Sequence, residues 1–598
     1  MALGTAAPAA LGKLSTVRPW IPRRVVLPTR TFPWADAVLL LALTGLLALV
    51  AWLGRGMWQP FTPDQVPVVS LAPTALPGYA ARSLLRMFLA LGASLLFTLV
   101  VASWAAKSPG AGRVILPALD ILQSVPVLGF LSATVTFFVG LTPGRLLGLE
   151  LVSIFAIFTG QVWNLTFAFY QTLVTLPGDQ AEVLRLFRLS AWQRFTRFEL
   201  PAGVIPLVWN GMMSFGGGWF FLAASEAITV LNQELLLPGV GSYMALAVRG
   251  RNIPALLWAL LAMAAMVLLV DWLFWRPLVA WAEKFKLEET QAPSRPRSAV
   301  LELLRRSHLA RGCGRVLERL EESADHCWGR AAGRWRAAGR RDARPAAPGA
   351  GRLRDRVLAA LLWAALGLLA LRGVVFIHTE VAWHEALRVA GLGAITGLRV
   401  MVVVLLSVLF WTPVGVWIGM TPAVARVAQP LVQLLASFPA NFLFPFATIV
   451  FLRYHVSLEW GGVLLMALGA QWYLLFNTIA GAMAIPNDLR EMTRDLGVRR
   501  WLRWRMLVLP AIFPAWVTGA LTAAGGAWNA SIVAEVVSWG DVRLTATGLG
   551  AYITRATTAG DWPRIVLGVS IMSAYVVAIN RLLWRPLQQR AEARCRLG

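Results

Sequence analysis

The amino-acid sequence predicts an all-α integral membrane protein made of two tandem six-helix modules. Composition is the first sign. Of the 598 residues, 58% are hydrophobic and only 14% are charged, against about 45–50% and about 25% in soluble domains. A soluble fold of this size could not hide so much apolar surface, whereas a bilayer can. The second sign is a series of twelve long apolar stretches, and the third is an internal repeat with a period near 310 residues.

A membrane helix needs about 20 mostly apolar residues. In the first half such spans are expected near 35–53, 84–106, 114–139, 149–175, 203–230 and 255–275. In the second half they are expected near 357–377, 398–419, 427–452, 461–480, 512–537 and 564–583. The third and ninth spans contain prolines: Pro117 and Pro126, then Pro430, Pro439 and Pro445. Membrane helices tolerate these where neighbours re-satisfy the freed carbonyls.

The repeat is read from residues that chance rarely matches. Arg86, Pro109, Arg113, Pro117, Ser124 and Pro126 correspond to Arg399, Pro422, Arg426, Pro430, Ser437 and Pro439, all at an offset of 313. Beyond them the offset is 309: Pro177, Glu182, Arg185, Trp192, Leu200 and Pro201 correspond to Pro486, Glu491, Arg494, Trp501, Leu509 and Pro510. Trp219 and Glu226 correspond to Trp528 and Glu535, and Gly239 and Gly241 to Gly548 and Gly550. The run Trp275-Arg276-Pro277-Leu278 recurs as Trp584-Arg585-Pro586-Leu587. Both halves start on the same side, so the repeat is parallel. Its pseudo-two-fold axis should follow the membrane normal, with a shared pathway between the halves.

Charge sets the orientation. The net charge of +25 lies mainly between the apolar spans. Basic residues concentrate in the N-terminal arm, the Lys107–Arg113 turn, the loops at 177–200 and 486–508, the linker and the C-terminal tail. The positive-inside rule makes that side cytoplasmic and places both termini there. No basic segment joins a recognisable nucleic-acid fold, so nucleic-acid binding is not expected. The resulting division is a cytoplasmic arm (1–34), a first module (35–283), a basic cytoplasmic linker (284–356), a second module (357–587) and a tail (588–598). The linker holds 18 Lys and Arg against 9 Asp and Glu, and one helix is expected at 299–322. It reads as a solvated tether near anionic headgroups. Cys313 and Cys327 lie near His308 and His326 there, at a spacing that matches no familiar zinc pattern. No metal or other cofactor is expected, and the N-terminus lacks a cleavable signal pattern.

The strongest local motif lies between the fourth and fifth spans of each half. In the second copy (486–509) Glu491-Met492-Thr493-Arg494-Asp495-Leu496-Gly497 leads to Trp501 and then Leu509-Pro510. Leu489, Met492 and Leu496 share helical spacing, and Gly497 permits a tight turn. In the first copy (177–200) Glu182, Arg185 and Arg188 precede Leu200-Pro201, and Arg188 stands where the glycine would be. A short amphipathic helix of this kind can dock into a groove on a soluble partner. A solvated acid at a helix start is the bland reading of Glu182 and Glu491. Their recurrence beside Leu-Pro favours a coupling role.

This loop resembles the EAA loop of ABC importer permeases. The chain as a whole resembles the duplicated membrane subunit of the branch that imports nitrate, sulfonates, taurine and related small anions. The resemblance implies a type I importer fold in a bacterial inner membrane, two docked ABC ATPase subunits and an extracytoplasmic substrate-binding protein. It also implies coupling roles for Glu182, Arg185, Arg188, Leu200, Pro201, Glu491, Arg494, Gly497, Leu509 and Pro510.

Glu226 and Glu535 fall inside predicted fifth spans, where an ionisable group is costly and usually faces the protein interior or a water-filled cavity. A carboxylate suits pairing with arginine or gating better than contact with an anion. Trp219, Trp528 and Asn529 lie one to two turns earlier and could line a pathway, with helix packing as the equal alternative. Gly216, Gly217, Gly218, Gly525 and Gly526 are expected to let helices approach closely.

No Walker A sequence is present: of the four lysines only Lys13 follows a glycine, and the motif needs Gly-Lys-[Ser/Thr] with a second glycine upstream. The chain is therefore not expected to be an enzyme, and ATP hydrolysis would fall to separate subunits. An ion-coupled secondary transporter with fused six-helix repeats is the alternative. A membrane enzyme would need an interfacial catalytic cluster, and none stands out.

Overall fold

A computed structural model of the chain describes residues 33–60, 69–176, 190–230, 233–285, 298–312, 315–316, 350–498 and 500–594. Within these residues eight helices are long and apolar enough to cross a membrane. They fall on eight of the twelve expected spans. Two more expected spans are single helices of sufficient length, Leu200–Glu226 with 27 residues and Ala350–Glu380 with 31.

The other two spans, the third and the ninth, are not continuous. Helix Pro109–Ser124 stops before Pro126, a turn follows at Val127–Phe130, and the chain resumes as Leu131–Leu141. The second module repeats this with Pro422–Ser437, a turn at Ala440–Phe442 and helix Phe444–Arg453. Pro126 and Pro439 each precede the turn in an extended conformation. Proline cannot donate to the helix ladder and biases the residue before it away from helix, so the break falls there.

Two expected boundaries also shift. The fifth and eleventh spans end at Glu226 and Ala534 rather than at 230 and 537, and the chain turns at once into antiparallel hairpins. Strand β1 (Ala227–Val230) pairs with β2 (Gln233–Leu236), and β3 (Val536–Trp539) pairs with β4 (Val542–Thr545). Short apolar runs such as Ala227–Val230 fit helix or strand equally well by pattern. In the linker the expected helix 299–322 is interrupted at Ser307, which leaves helical geometry, and helix resumes over 308–312 and 315–316; residues 313–314 and 317–322 lie outside the described residues.

Each module is a packed trio. Helices Leu76–Lys107, Leu147–Val174 and Leu200–Glu226 form the first, and Trp383–Met420, Leu458–Met483 and Leu509–Ala534 the second. The broken spans then cross to the other side. Pro422–Ser437 packs on Leu200–Glu226, while Pro109–Ser124 packs on Ala350–Glu380 and Trp562–Ile579. One hydrophobic core accordingly runs through both halves, from Val127 and Leu149 to Ala527 and Leu549. The outermost helix, Pro33–Met57, exposes Leu41, Leu46, Leu47 and Trp52, which suits contact with lipid tails.

Among the described residues four π-turns mark matched points of the repeat: Phe195–Glu199, Asp271–Trp275, Trp504–Val508 and Asn580–Trp584. Each is followed by a residue and then proline: Leu200-Pro201, Arg276-Pro277, Leu509-Pro510 and Arg585-Pro586. A proline ring would collide with the carbonyl four residues back. The wider i→i−5 turn relieves that collision, and the helix passes through without stopping.

Candidate functional site

Charge inside an apolar bundle must be paired, and each module pairs it in the same place. In the first, the fully buried Arg86 guanidinium donates from Nε and Nη2 to Glu150 at 2.5 and 2.8 Å and from Nη1 to Glu226 at 2.6 Å. Its Nη2 also reaches the Pro238 carbonyl at 3.0 Å. Ser83 Oγ donates to Glu226 at 2.5 Å, and the Gly241 N–H donates to Glu226 Oε2 at 2.7 Å. In the second module Arg399 pairs with Glu459 and with Glu535, the latter at 3.0 Å. Thr396 stands in for Ser83, donating to Glu535 at 2.8 Å, and the Ala551 N–H donates to the other oxygen at 3.1 Å.

Two acids against one arginine leave one carboxyl group in excess in each module. It is aimed at the N-termini of helices Val240–Arg249 and Leu549–Ala559, whose free N–H groups favour it. The Gly-x-Gly pairs owe their identity to this contact. A Cβ on Gly239 or Gly548 would overlap the Glu226 or Glu535 carboxylate, and one on Gly241 would meet the Ala223 carbonyl at 2.7 Å. Glu226 and Glu535 thus clamp each hairpin and its following helix onto the core trio. The third member of each cluster, Glu150 or Glu459, was not singled out in the sequence, although the two match at the same 309 offset. A lone arginine in an apolar span was the available signal that further acids should converge on it.

Between the modules lies a cavity of about 620 Å³. Its polar lining is mostly neutral: Asn164, Asn210, Asn477 and Asn529 with Thr518 and Thr522. Gly216 and Gly217 line it opposite Gly525 and Gly526. Gly216 does allow close approach, since a Cβ there would lie 2.8 Å from Ser437 Oγ across the boundary. Gly525 instead faces open space, so the expectation of helix contact does not hold for it.

A second cavity, of about 600 Å³, lies toward the hairpins and is lined by Ile228, Leu236, Val537 and Asn441 among others. The two are separated where the broken spans meet the fifth helices. The Val127 N–H donates to Asn529 Oδ1 at 3.2 Å, and Asn441 Nδ2 donates to the Phe220 carbonyl at 3.2 Å. Both bonds cross the module boundary.

Trp528 and Asn529 therefore line the central cavity. Trp219 is 1% exposed and packs edge-on against Phe215 at 5.4 Å, on the rim of a smaller crevice. The carboxylates of Glu226 and Glu535 are taken up by the arginine clusters.

At the opposite end from the hairpins sits the second-module loop. Helix Asn487–Asp495 is followed by Gly497 at φ +64°, a left-handed position that favours glycine. Arg490 Nη2 donates to the Ala482 carbonyl at 2.7 Å, closing the end of helix Leu458–Met483. Burial and the nearby Arg503 pull the Arg490 pKa below its ordinary value, and it stays charged at any physiological pH. Glu491, Arg494, Met492 and Leu496 are exposed, as are Trp501 and Met506. Glu182, Arg185 and Arg188 of the first copy lie outside the described residues.

The exit of each loop is fastened differently. In the first module Glu199, 2% exposed, pairs with Lys107 at 2.7 Å and with Arg194 at 3.0 Å. At the matched positions the second module has Val508 and Met420, packed in one apolar cluster.

Fold and site together define a polytopic membrane protein whose two like modules enclose a central cavity with a mostly neutral lining. The chain belongs to the family described as binding-protein-dependent transport system inner membrane component, whose profile matches residues 94–274 and again 411–584. It is 24% identical over 185 residues to the nitrate import permease protein NrtB of Leptolyngbya laminosa, covering 31% of this chain and 63% of that protein. It is 28% identical over 170 residues to the bicarbonate transport system permease protein CmpB of Synechococcus elongatus, covering 28% and 58%. The taurine transport system permease protein TauC of Escherichia coli is 24% identical over 192 residues, covering 32% and 66%. The match thus spans less than two thirds of each of these relatives.

Proposed function

We propose that the chain is the membrane-spanning permease of an ATP-binding cassette importer for a small anionic solute of the nitrate, sulfonate or taurine kind. Both modules come from one chain, and alternating access between them moves the solute. Two ATPase subunits dock on the loops at 177–200 and 486–509, and an extracytoplasmic binding protein delivers solute at the hairpin end. The protein resides in a bacterial inner membrane with both termini in the cytoplasm.

The observation that carries this reading is the exposed surface around Glu491. Met492, Leu496, Trp501 and Met506 are 50–71% exposed there, beside charges that lipid would not accept. Such a surface suits a soluble partner whose movement is passed into helix Leu509–Ala534. The neutral amide and hydroxyl lining supports passage rather than retention, because a pathway must bind weakly enough to release.

The test is a pull-down from membranes through a C-terminal tag, with and without Glu182→Arg plus Glu491→Arg. About two ATPase subunits per chain are expected, lost in the double variant. If none co-purifies in several mild detergents, and uptake runs on an ion gradient alone, the chain is a secondary transporter instead.

A further inference from the structure

We propose that Asp120 and Arg585 form a one-sided ionic latch across the module boundary, and that its opening controls entry to the central cavity from the loop end. Asp120 lies on helix Pro109–Ser124 of the first module. Arg585 begins helix Arg585–Arg594 of the second, and the two side chains form an ion pair. They are the only charged residues lining the cavity among the described residues.

The matched positions on the other side are wired differently. Arg585 corresponds to Arg276, but Asp120 corresponds to Gln433, and Asn580 corresponds to Asp271. Arg276 accordingly turns to Asp271 of its own helix at 2.8 Å. Gln433 has no charge to offer it and points to Met212. The second boundary is left with a crevice of about 340 Å³ lined by Gln433, Arg276, Trp209 and Trp275. Moving one acid from position 271's counterpart to the facing module therefore converts an intramodule pair into a bridge. Helix Pro109–Ser124 packs on Leu76–Lys107 of its own module and reaches across to Ala350–Glu380 and Trp562–Ile579 of the second. The charge pair adds a tie, at the cavity wall, between this helix and the one that carries Arg585.

The two groups are only partly exposed, 22% for Asp120 and 48% for Arg585. Water can therefore replace the pairing when the modules separate. That suits a contact which must open repeatedly, unlike the sealed Arg86 cluster.

The test uses the full chain in open membrane fragments, with Cys313, Cys327 and Cys595 replaced by serine and Thr522→Cys as a reporter in the cavity. The rate of modification is read with a cationic and with an anionic methanethiosulfonate reagent. Neither nucleotide nor partner is needed, so the outcome is independent of the importer reading. Asp120→Asn and Arg585→Gln should each raise both rates several-fold. The reversed pair, Asp120→Arg with Arg585→Asp, should return both to the starting value. Unchanged rates would overturn the latch. So would opposite changes for the two reagents, which would mean that the pair only sets the local field, or a reversed pair that labels like the single variants.

Discussion

Arg86 and Glu226, 140 residues apart in sequence, meet at 2.6 Å with neither side chain exposed to solvent. Glu150 completes the cluster at 1% exposure. Removing one partner of a buried pair strands the others, at about 3–5 kcal/mol. Arg86→Met should therefore abolish stable folding in detergent. Arg399→Met should be milder, because Glu459 is 42% exposed and can be hydrated when its partner is lost. Thermal unfolding followed by size-exclusion recovery ranks the two; equal losses would remove the argument from exposure.

Gly239→Ala and Gly548→Ala each place a methyl group into a carboxylate. Overpacking of this kind costs about 1–3 kcal/mol, and it should appear as a lower midpoint of thermal unfolding. Gly525→Ala, whose Cβ meets nothing within 4 Å in the interior of helix Leu509–Ala534, should hold or slightly raise the midpoint, since alanine suits a helix interior better than glycine, and serves as the paired control.

The fastening of the two loop exits gives a double-mutant cycle. Lys107→Met alone leaves Glu199 with Arg194 as its remaining charged partner. Lys107→Met with Glu199→Val reproduces the apolar pair found in the second module. The double variant should be at least as stable as the single one, with a coupling energy of about 1 kcal/mol, modest because Lys107 is 45% exposed and solvent screens it. Additive effects would show that the pair contributes nothing.

Asn529→Ala removes the acceptor that holds the Val127 N–H. The expected change in stability is only about 1 kcal/mol. The barrier between the two cavities should nonetheless weaken, so a cysteine at Thr522 should become reachable by an impermeant thiol reagent from the hairpin side. Labelling from one face of sealed vesicles checks this, and no gain in access would show that apolar packing alone maintains the barrier.

The latch can be transplanted. Gln433→Asp with Asp271→Asn gives the second boundary, that of Gln433 and Arg276, the charge arrangement of the first. Arg276 should then bridge the modules, and labelling of the cavity cysteine should slow by several-fold.

Much of this architecture was legible because a bilayer constrains sequence so tightly. Twelve apolar stretches and offsets of 313 and 309 sufficed for two parallel modules. The four-residue change in offset falls between Pro126 and Glu150 on one side and Pro439 and Glu459 on the other, where the first module spends four more residues. What escaped was set by contacts far apart in the chain. Glu226 could be flagged as costly, but its convergence with Glu150 on Arg86 needs the packing of three helices. Asp120 and Arg585 are separated by 465 residues, and no local pattern links them. The hairpins were hidden because Ala227-Ile228-Thr229-Val230 continues an apolar run without a break. The π-turns had a local sign in their X-Pro steps, but proline more often ends a helix than widens it.

Phe220 and Asn529 occupy the same place in the two modules, one an aromatic ring and the other an amide. A symmetric pair of identical subunits must present every side chain twice, once from each copy. Joining the copies in one chain lifts that obligation. Each wall can then drift on its own, so one side of the cavity keeps an amide while the other keeps a ring. The same freedom underlies Lys107 against Met420 and Asp120 against Gln433. Mutational scans of such a chain should find two distinct tolerance profiles along its halves, diverging most at the positions that face the boundary.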